Sequence, residues 1–302
     1  MNTSIIIPTY YAESYISKLL TQLQQQTIDD YELIIIDSSS QDRTVEITKA
    51  YTDNVIVIPQ DEFDHGGTRA KAALMAKGEI LIFMTQDALP ANEYTLANII
   101  KPFNDVEVAA VYGRQLSYEG TNLFGCHLRK FNYPNHSRLL SKEDAKVYGI
   151  KTAQLSNSFA AYRRDVLLEI GNFKNGLILG EDVYAGAKIL DAGYKLGYIA
   201  DAEVYHSHSY TVMEEFKRYF DIGVFHQCES WILDEYGKAE GEGGRYVKSE
   251  INYLLAHHAY HLIPSFFIRN GMKYLGYKMG QNYKKLPKSI IKKCSMHHRW
   301  WK

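Results

Sequence analysis

Cysteine is scarce in this chain: Cys126, Cys228 and Cys294 are the only three in 302 residues. They lie far apart and without metal-ligand spacing, and an odd count fits a reducing compartment rather than a disulfide framework. No uncharged apolar stretch is long enough to span a bilayer. The opening run Ile5-Ile6-Ile7 has no basic segment before it and is too short for a signal peptide. The sequence is therefore expected to stay in the cytoplasm. It has no internal repeat. Acidic residues are missing altogether after Glu250, where ten Lys and Arg occur without one Asp or Glu. Taking these ten cations off the formal net charge of −1 leaves −11 for the rest, an acidic body with a basic tail.

What remains is an ordinary globular composition, 46% hydrophobic and 23% charged, with enough chain for a large core. The first half alternates in a βα rhythm. Apolar runs at 4–7, 32–37, 55–58, 80–84 and 108–112 read as strands, and helical patterns cover 14–25, 42–51 and 68–77, the last capped by Gly78. Asp42 stands where it can cap the second helix. Continuous β-branched runs separated by helices imply a parallel sheet covered on both faces. Ligands of such sheets sit at the carboxyl ends of the strands, where Pro8-Thr9, Asp37-Ser38 and Asp87 fall. The second half is less regular. Residues 116–149 read as a long connection, 165–170 as a short helix closing at Gly171, 180–190 as a helix and 197–205 as a strand ending at His206. A helix is expected from Val212. The four glycines of 237–244 suggest a mobile loop, and Pro264 breaks the aromatic-rich stretch 251–280.

Several residues carry chemistry, each with a plainer alternative. Gly66-Gly67 followed by Arg69 makes either a tight turn or a loop through which backbone and guanidinium reach a phosphate. Asp64 and His65 beside it can contact a sugar or base, or simply hold structure. The strand 80–84 delivers Asp87, inside Thr85-Gln86-Asp87, to a sheet edge. One carboxylate suffices for a hard cation that fills its shell with phosphate oxygens. Asp37 either touches a ligand or caps a helix. Glu181 and Asp182 at a helix start either favour the dipole or include a general base, and Arg163-Arg164 either pair with them or with phosphate, or are solvated. His206 and His208 alternate on one side of a strand end, as structural groups or as ligands completing a manganese-type site. In Lys284–Lys302, seven of the ten cations interleave with Ile290, Ile291, Trp300 and Trp301. That mixture suits an anionic membrane surface better than nucleic acid; the alternative is a solvated end.

The ordered set Ile5-Ile6-Ile7-Pro8-Thr9-Tyr10, Ile36-Asp37-Ser38-Ser39-Ser40, Phe63-Asp64-His65-Gly66-Gly67-Thr68-Arg69, Thr85-Gln86-Asp87, Gly180-Glu181-Asp182 and Val204-Tyr205-His206 resembles the family 2 glycosyltransferases, especially their rhamnosyltransferase branch. The resemblance spans about residues 4–210. It implies a GT-A fold, a Rossmann-like mostly parallel α/β sheet flanked by helices: a nucleotide-sugar-binding and catalytic domain at 1–210, followed by a helical, basic region at 211–302 that meets membrane or acceptor. It implies that Pro8, Thr9 and Asp37 contact the nucleoside and that Arg69, with Asp64, His65, Thr85 and Gln86, lines the nucleotide-sugar site. Asp87 and His206 would bind Mn²⁺ or Mg²⁺, with Asp182 as base and Glu181 its neighbour. Thr85 departs from the Asp-x-Asp of most relatives, as the rhamnosyl branch leads one to expect. The activity implied is inverting transfer of L-rhamnose from a nucleotide donor, dTDP-linked, to a lipid-linked saccharide in bacterial surface polysaccharide synthesis at the inner membrane face. A UDP-hexose transferase of the same fold is the alternative donor reading. A non-catalytic membrane-associated binding protein would rest on the tail alone. A nucleotidyltransferase would carry a glycine-rich, Lys- or Arg-bearing loop where Pro8-Thr9-Tyr10-Tyr11 stands.

Overall fold

In the computed structural model, residues 2–28, 30–237 and 240–301 are described. Strands β1 (Thr3–Thr9), β2 (Tyr31–Asp37), β3 (Val55–Val57), β4 (Ile80–Met84), β5 (Leu89–Pro90), β6 (Val108–Leu116), β7 (Arg138–Leu140), β8 (Phe159–Arg163) and β9 (Lys195–Tyr205) form one nine-stranded sheet. Its order is β3-β2-β1-β4-β8-β6-β9-β5, with β7 joined to β9. The first four strands are parallel, as the βα rhythm requires. β8 then runs against both β4 and β6, and β6 and β9 are parallel again. The mostly parallel sheet expected is present, with antiparallel pairs added by β8, β5 and β7.

Alternation along the strands sets two cores. Ile6, Ile34, Leu81 and Phe83 face one side. Ile5, Ile7, Leu33, Ile35, Ile80 and Ile82 face the other, where Ile16, Leu19, Leu20 and Leu23 of the helix Glu13–Gln24 cover them. The first core continues through Phe220, Val224, Ile232 and Tyr236 to Ile291, so residues beyond 210 pack onto the sheet. The helix Val212–Cys228 opens with a capping box, Thr211 to Glu214, and Ile263–Gln281 lies along it.

Several sequence expectations change here. The Gly66-Gly67 segment is the first turn of the helix His65–Met75, capped by Asp64, not a loop. Glycine is required because a Cβ on Gly66 would sit 1.9 Å from the Lys174 carbonyl oxygen. Gly78 does not cap that helix; it lets the chain pass Ser4, whose amide would be 2.5 Å from an added Cβ. Asp42 does serve helix starts: its carboxylate accepts from the Thr44 amide at 3.1 Å and the Glu13 amide at 3.2 Å. The connection 116–149 contains the helix Leu123–Asn132 and β7. Of the expected loop 237–244, Gly241 to Gly244 lie in the helix Glu240–Ala256, and Lys238 and Ala239 fall outside the described residues. The tail is no solvated end. Ser295 is buried, the Met296 amide donates to Asp221 at 2.8 Å, and Trp301 packs on Phe220 and Tyr283.

Candidate active site

The carboxyl ends of β1, β2 and β4 meet in one polar patch. Asp37 is fully buried, and its carboxylate accepts from Thr9 Oγ1 (2.9 Å), the Ser40 amide (2.7 Å) and Ser40 Oγ (2.7 Å). It ties β1 to the loop after β2. Gln86 does the same between β4 and β1, accepting from the Tyr10 amide at 2.8 Å and donating to the Tyr10 carbonyl at 3.1 Å. The end of β1 and the turn through Tyr11 are thereby held from both sides, with Tyr11 at φ 48°. Thr85 Oγ1 is buried without a hydrogen-bond partner.

Sheet register brings Asp87 to the histidines. Leu89 pairs with Tyr205, so residues just before 89 lie beside those just after 205. Asp87 Oδ1 is 3.5 Å from His206 Nε2 and its Oδ2 is 3.8 Å from His208 Nε2. One ligand atom from each of the three lies within 4.8 Å of the others. Gln115 fixes the His206 tautomer. Its Nδ1 is 2.9 Å from Gln115 Oε1, an acceptor that Arg129 also donates to. Nδ1 therefore carries the hydrogen, and the Nε2 lone pair faces Asp87. Burial lowers both imidazoles, His206 to about 3, so both are neutral at physiological pH. Neither neutralises Asp87. One carboxylate and two neutral imidazoles are a fitting donor set for a divalent cation, and the imidazoles favour Mn²⁺ over Mg²⁺.

A second cluster forms where the helices His65–Met75 and Glu181–Asp191 meet. Glu181 is buried against Arg69 at 3.2 Å and accepts from Asn157 Nδ2 at 3.1 Å. Burial alone would raise its carboxyl, but Arg69, His65 and Asn157 outweigh burial and hold it below the ordinary range. Asp182 goes the other way. Burial, then the Glu181 charge, push it up to about 6. Two adjacent carboxyls with opposed shifts divide into a fixed anion and a proton acceptor. Asn157 is oriented by Tyr162, whose hydroxyl donates to its Oδ1 at 2.7 Å, and the Asn157 amide donates to Asp182 at 3.1 Å. Asp64 gives one oxygen to the Gly67 amide (2.6 Å) and the other to the Gly176 amide (3.1 Å). His65 meets His297 of the tail ring to edge at 5.0 Å, and Trp300 Nε1 donates to the Gly176 carbonyl at 2.9 Å.

The segment 156–158 links the clusters. Ser156 Oγ accepts from Gln115, the partner of His206; Asn157 holds the acid pair; the Ser158 carbonyl accepts from the Thr85 amide. Sequence reading missed Asn157, Gln115, Arg129 and His297. The only signal was the polar triplet Ser156-Asn157-Ser158 before the apolar β8. His208, weighed in the sequence but not carried over from the resemblance, joins Asp87 and His206. Arg163 and Arg164 do not pair with the two acids and are not simply solvated. They donate to backbone carbonyls of Phe103, Asp105 and Val108, and of Ala73 and Leu74.

Residues 4–171 match the family described as Glycosyl transferase family 2. The chain belongs to that family. This glycosyltransferase is 46% identical over 300 residues to the O-antigen chain rhamnosyltransferase WbaN of Salmonella anatum, a match covering 99% of this chain and 95% of the relative. It is 44% identical to the O-antigen chain rhamnosyltransferase RfbN of Salmonella typhimurium, across 100% and 96%. The fold of the glycosyltransferase resembles that of the mannosyltransferase PcManGT from Pyrobaculum calidifontis, solved in complex with GDP-Man and Mn²⁺, at TM-score 0.61 and 18% identity over 99% of this chain and 87% of that one. Staphylococcus aureus TarS 1-349 with UDP-GlcNAc follows at TM-score 0.57 and 18% identity, covering 94% and 92%. These likenesses establish the GT-A-like fold.

Proposed function

We propose that this enzyme is an inverting rhamnosyltransferase of bacterial surface polysaccharide synthesis. It transfers L-rhamnose from dTDP-β-L-rhamnose to a hydroxyl of a lipid-linked saccharide. The single observation that carries the rhamnosyl reading is the full-length identity to two O-antigen chain rhamnosyltransferases. The site supports the chemistry. Asp182, poised near 6, takes the proton of the acceptor hydroxyl as that oxygen attacks the anomeric carbon. Glu181 stays ionised on Arg69, keeping that proton on Asp182, and Asn157 sets the orientation of both acids. Asp87, His206 and His208 would hold a divalent ion, Mn²⁺ or Mg²⁺, which when bound offsets charge on the leaving diphosphate. Thr85 Oγ1, buried and unpartnered, is a donor available to the nucleotide sugar. The ends of β1 and β2, with Pro8, Thr9 and Asp37, frame the nucleoside side. Residues 1–210 act as the catalytic part, and 211–302 carry the acceptor and membrane side. Among the described residues no helix is long and apolar enough to cross a membrane. On this reading the enzyme works peripherally on the anionic inner face, to which the basic tail after Glu250 is drawn. Titration calorimetry with Mn²⁺ present tests the donor. dTDP-L-rhamnose should bind more tightly than UDP-glucose or UDP-galactose; tighter binding of a UDP-hexose would move the enzyme to another donor within the same fold.

A further inference from the structure

The sequence placed membrane contact on the tail Lys284–Lys302, whose cations interleave with Ile290, Ile291, Trp300 and Trp301. In the structure both tryptophans turn inward, Trp300 to the Gly176 carbonyl and Trp301 to Phe220 and Tyr283. Ile290 of the tail stays exposed, but the larger apolar surface lies on another element. The helix Ile263–Gln281 is oriented by close contact with Val212–Cys228. A Cβ on Gly276 would lie 2.4 Å from the Phe216 carbonyl oxygen, and one on Gly280 would lie 2.0 Å from that of Phe220. Phe266, Lys273, Tyr277 and both glycines form this inner face. Helical spacing then puts 267, 268, 271, 274, 275 and 278 on the opposite side. There Phe267 is 67% exposed, Tyr274 62%, Ile268 57% and Leu275 47%. Lone exposed apolar residues are ordinary, but four large ones on a single outward helix face are not.

The charge around this face selects its occupant. Arg269 and Lys273 are taken up internally by Glu215 and Glu250. Lys278 stands on the apolar face. Past the helix end come Lys284, Lys285, Lys288, Lys292 and Lys293, all exposed and without an ion pair among the described residues. No acidic residue follows Glu250 in sequence. Two copies joined through this face would bring like charges together. An anionic lipid surface answers both features, since aromatic and aliphatic side chains enter the headgroup boundary while lysines meet the phosphates.

We propose that the outer face of Ile263–Gln281, through Phe267, Ile268, Tyr274 and Leu275, lies in the surface of an anionic membrane, with the lysines from 278 to 293 at its phosphates. This rests on the reading of the enzyme as a peripheral membrane protein and names the surface responsible.

The test is co-sedimentation of the full chain with vesicles of phosphatidylethanolamine containing phosphatidylglycerol. Wild type should bind, and binding should fall with salt. Phe267→Ser/Ile268→Ser/Leu275→Ser should bind at least about tenfold more weakly, with unchanged calorimetric affinity for the donor and unchanged circular dichroism. Lys284→Glu/Lys285→Glu should weaken binding by about an order of magnitude. Equal binding of wild type and the triple variant would overturn the helix face while leaving the membrane reading intact. No binding by wild type would overturn both. Equal binding to neutral vesicles would overturn the role of the lysines. A wild-type dimer made monomeric by the triple variant, with vesicle binding unaltered, would assign the face to a second copy and refute the proposal.

Discussion

Asp182→Asn separates catalysis from stability in opposite directions. The native carboxyl is raised from 3.8 to about 6, first by burial and then by Glu181. The folded state therefore binds this proton more tightly than the unfolded chain. For this group, stability is full below the unfolded value and is lost as pH rises through about 6. Above that pH the ionised group costs the fold on the order of 3 kcal/mol. Asparagine removes that cost but cannot accept from both the Asn157 and Val183 amides, losing about 1 kcal/mol. The variant should thus be about 1–2 kcal/mol more stable than wild type above pH 6, and the difference should vanish or reverse in acid. Turnover should fall by about two to four powers of ten, the scale of a lost general base. In wild type, kcat/KM should rise with pH up to about 6 and then level. Glu181→Gln makes the contrast. It leaves the buried Arg69 charge unpaired, so about 3–5 kcal/mol of stability goes with it. Initial rates across pH, with urea unfolding followed by tryptophan fluorescence, read both quantities. A stable, inactive Glu181→Gln beside an active Asp182→Asn would refute the division of labour.

Three further perturbations probe the rest of the site. Asp87→Ala should abolish transfer and calorimetric Mn²⁺ binding, whereas His208→Ala should weaken Mn²⁺ about 10- to 100-fold; full activity of chelator-treated wild type would contradict the metal centre. Deleting residues 295–302 should lower both the melting temperature and kcat, because it removes the buried Ser295, the Met296 bond to Asp221 and the Trp300 bond at Gly176; an unaltered melt and rate would make the tail dispensable.

Much of this was legible in the chain. Strand-end carboxylates marked where Asp37 and Asp87 would stand at the carboxyl edge of the sheet, although Asp37 is wholly taken up by Thr9 and Ser40. Gly180-Glu181-Asp182 gave the helix start, and Gly180 indeed caps it at φ 82°. The features that escaped depend on chain segments far away in sequence. Gly66-Gly67 looked like a phosphate loop, yet its smallness serves the backbone at Lys174 and the side chain of Asn175. β8, with the sequence Phe-Ala-Ala-Tyr-Arg, carries too short a pattern to declare a direction, and its antiparallel pairing comes from its neighbours β4 and β6. Asn157 carries no motif; its role comes from Tyr162, Glu181 and Asp182 converging on it. Trp300 and Trp301 looked interfacial because composition does not say whether a tail folds back.

The most direct test of the central claim is the anomeric configuration of the product. Purified enzyme, Mn²⁺, dTDP-β-L-rhamnose and a lipid-linked saccharide analogue should release dTDP and give an α-L-rhamnoside, read by NMR of the anomeric carbon and proton. A β-linked product, or turnover with UDP-hexoses but not with the rhamnosyl donor, would contradict it.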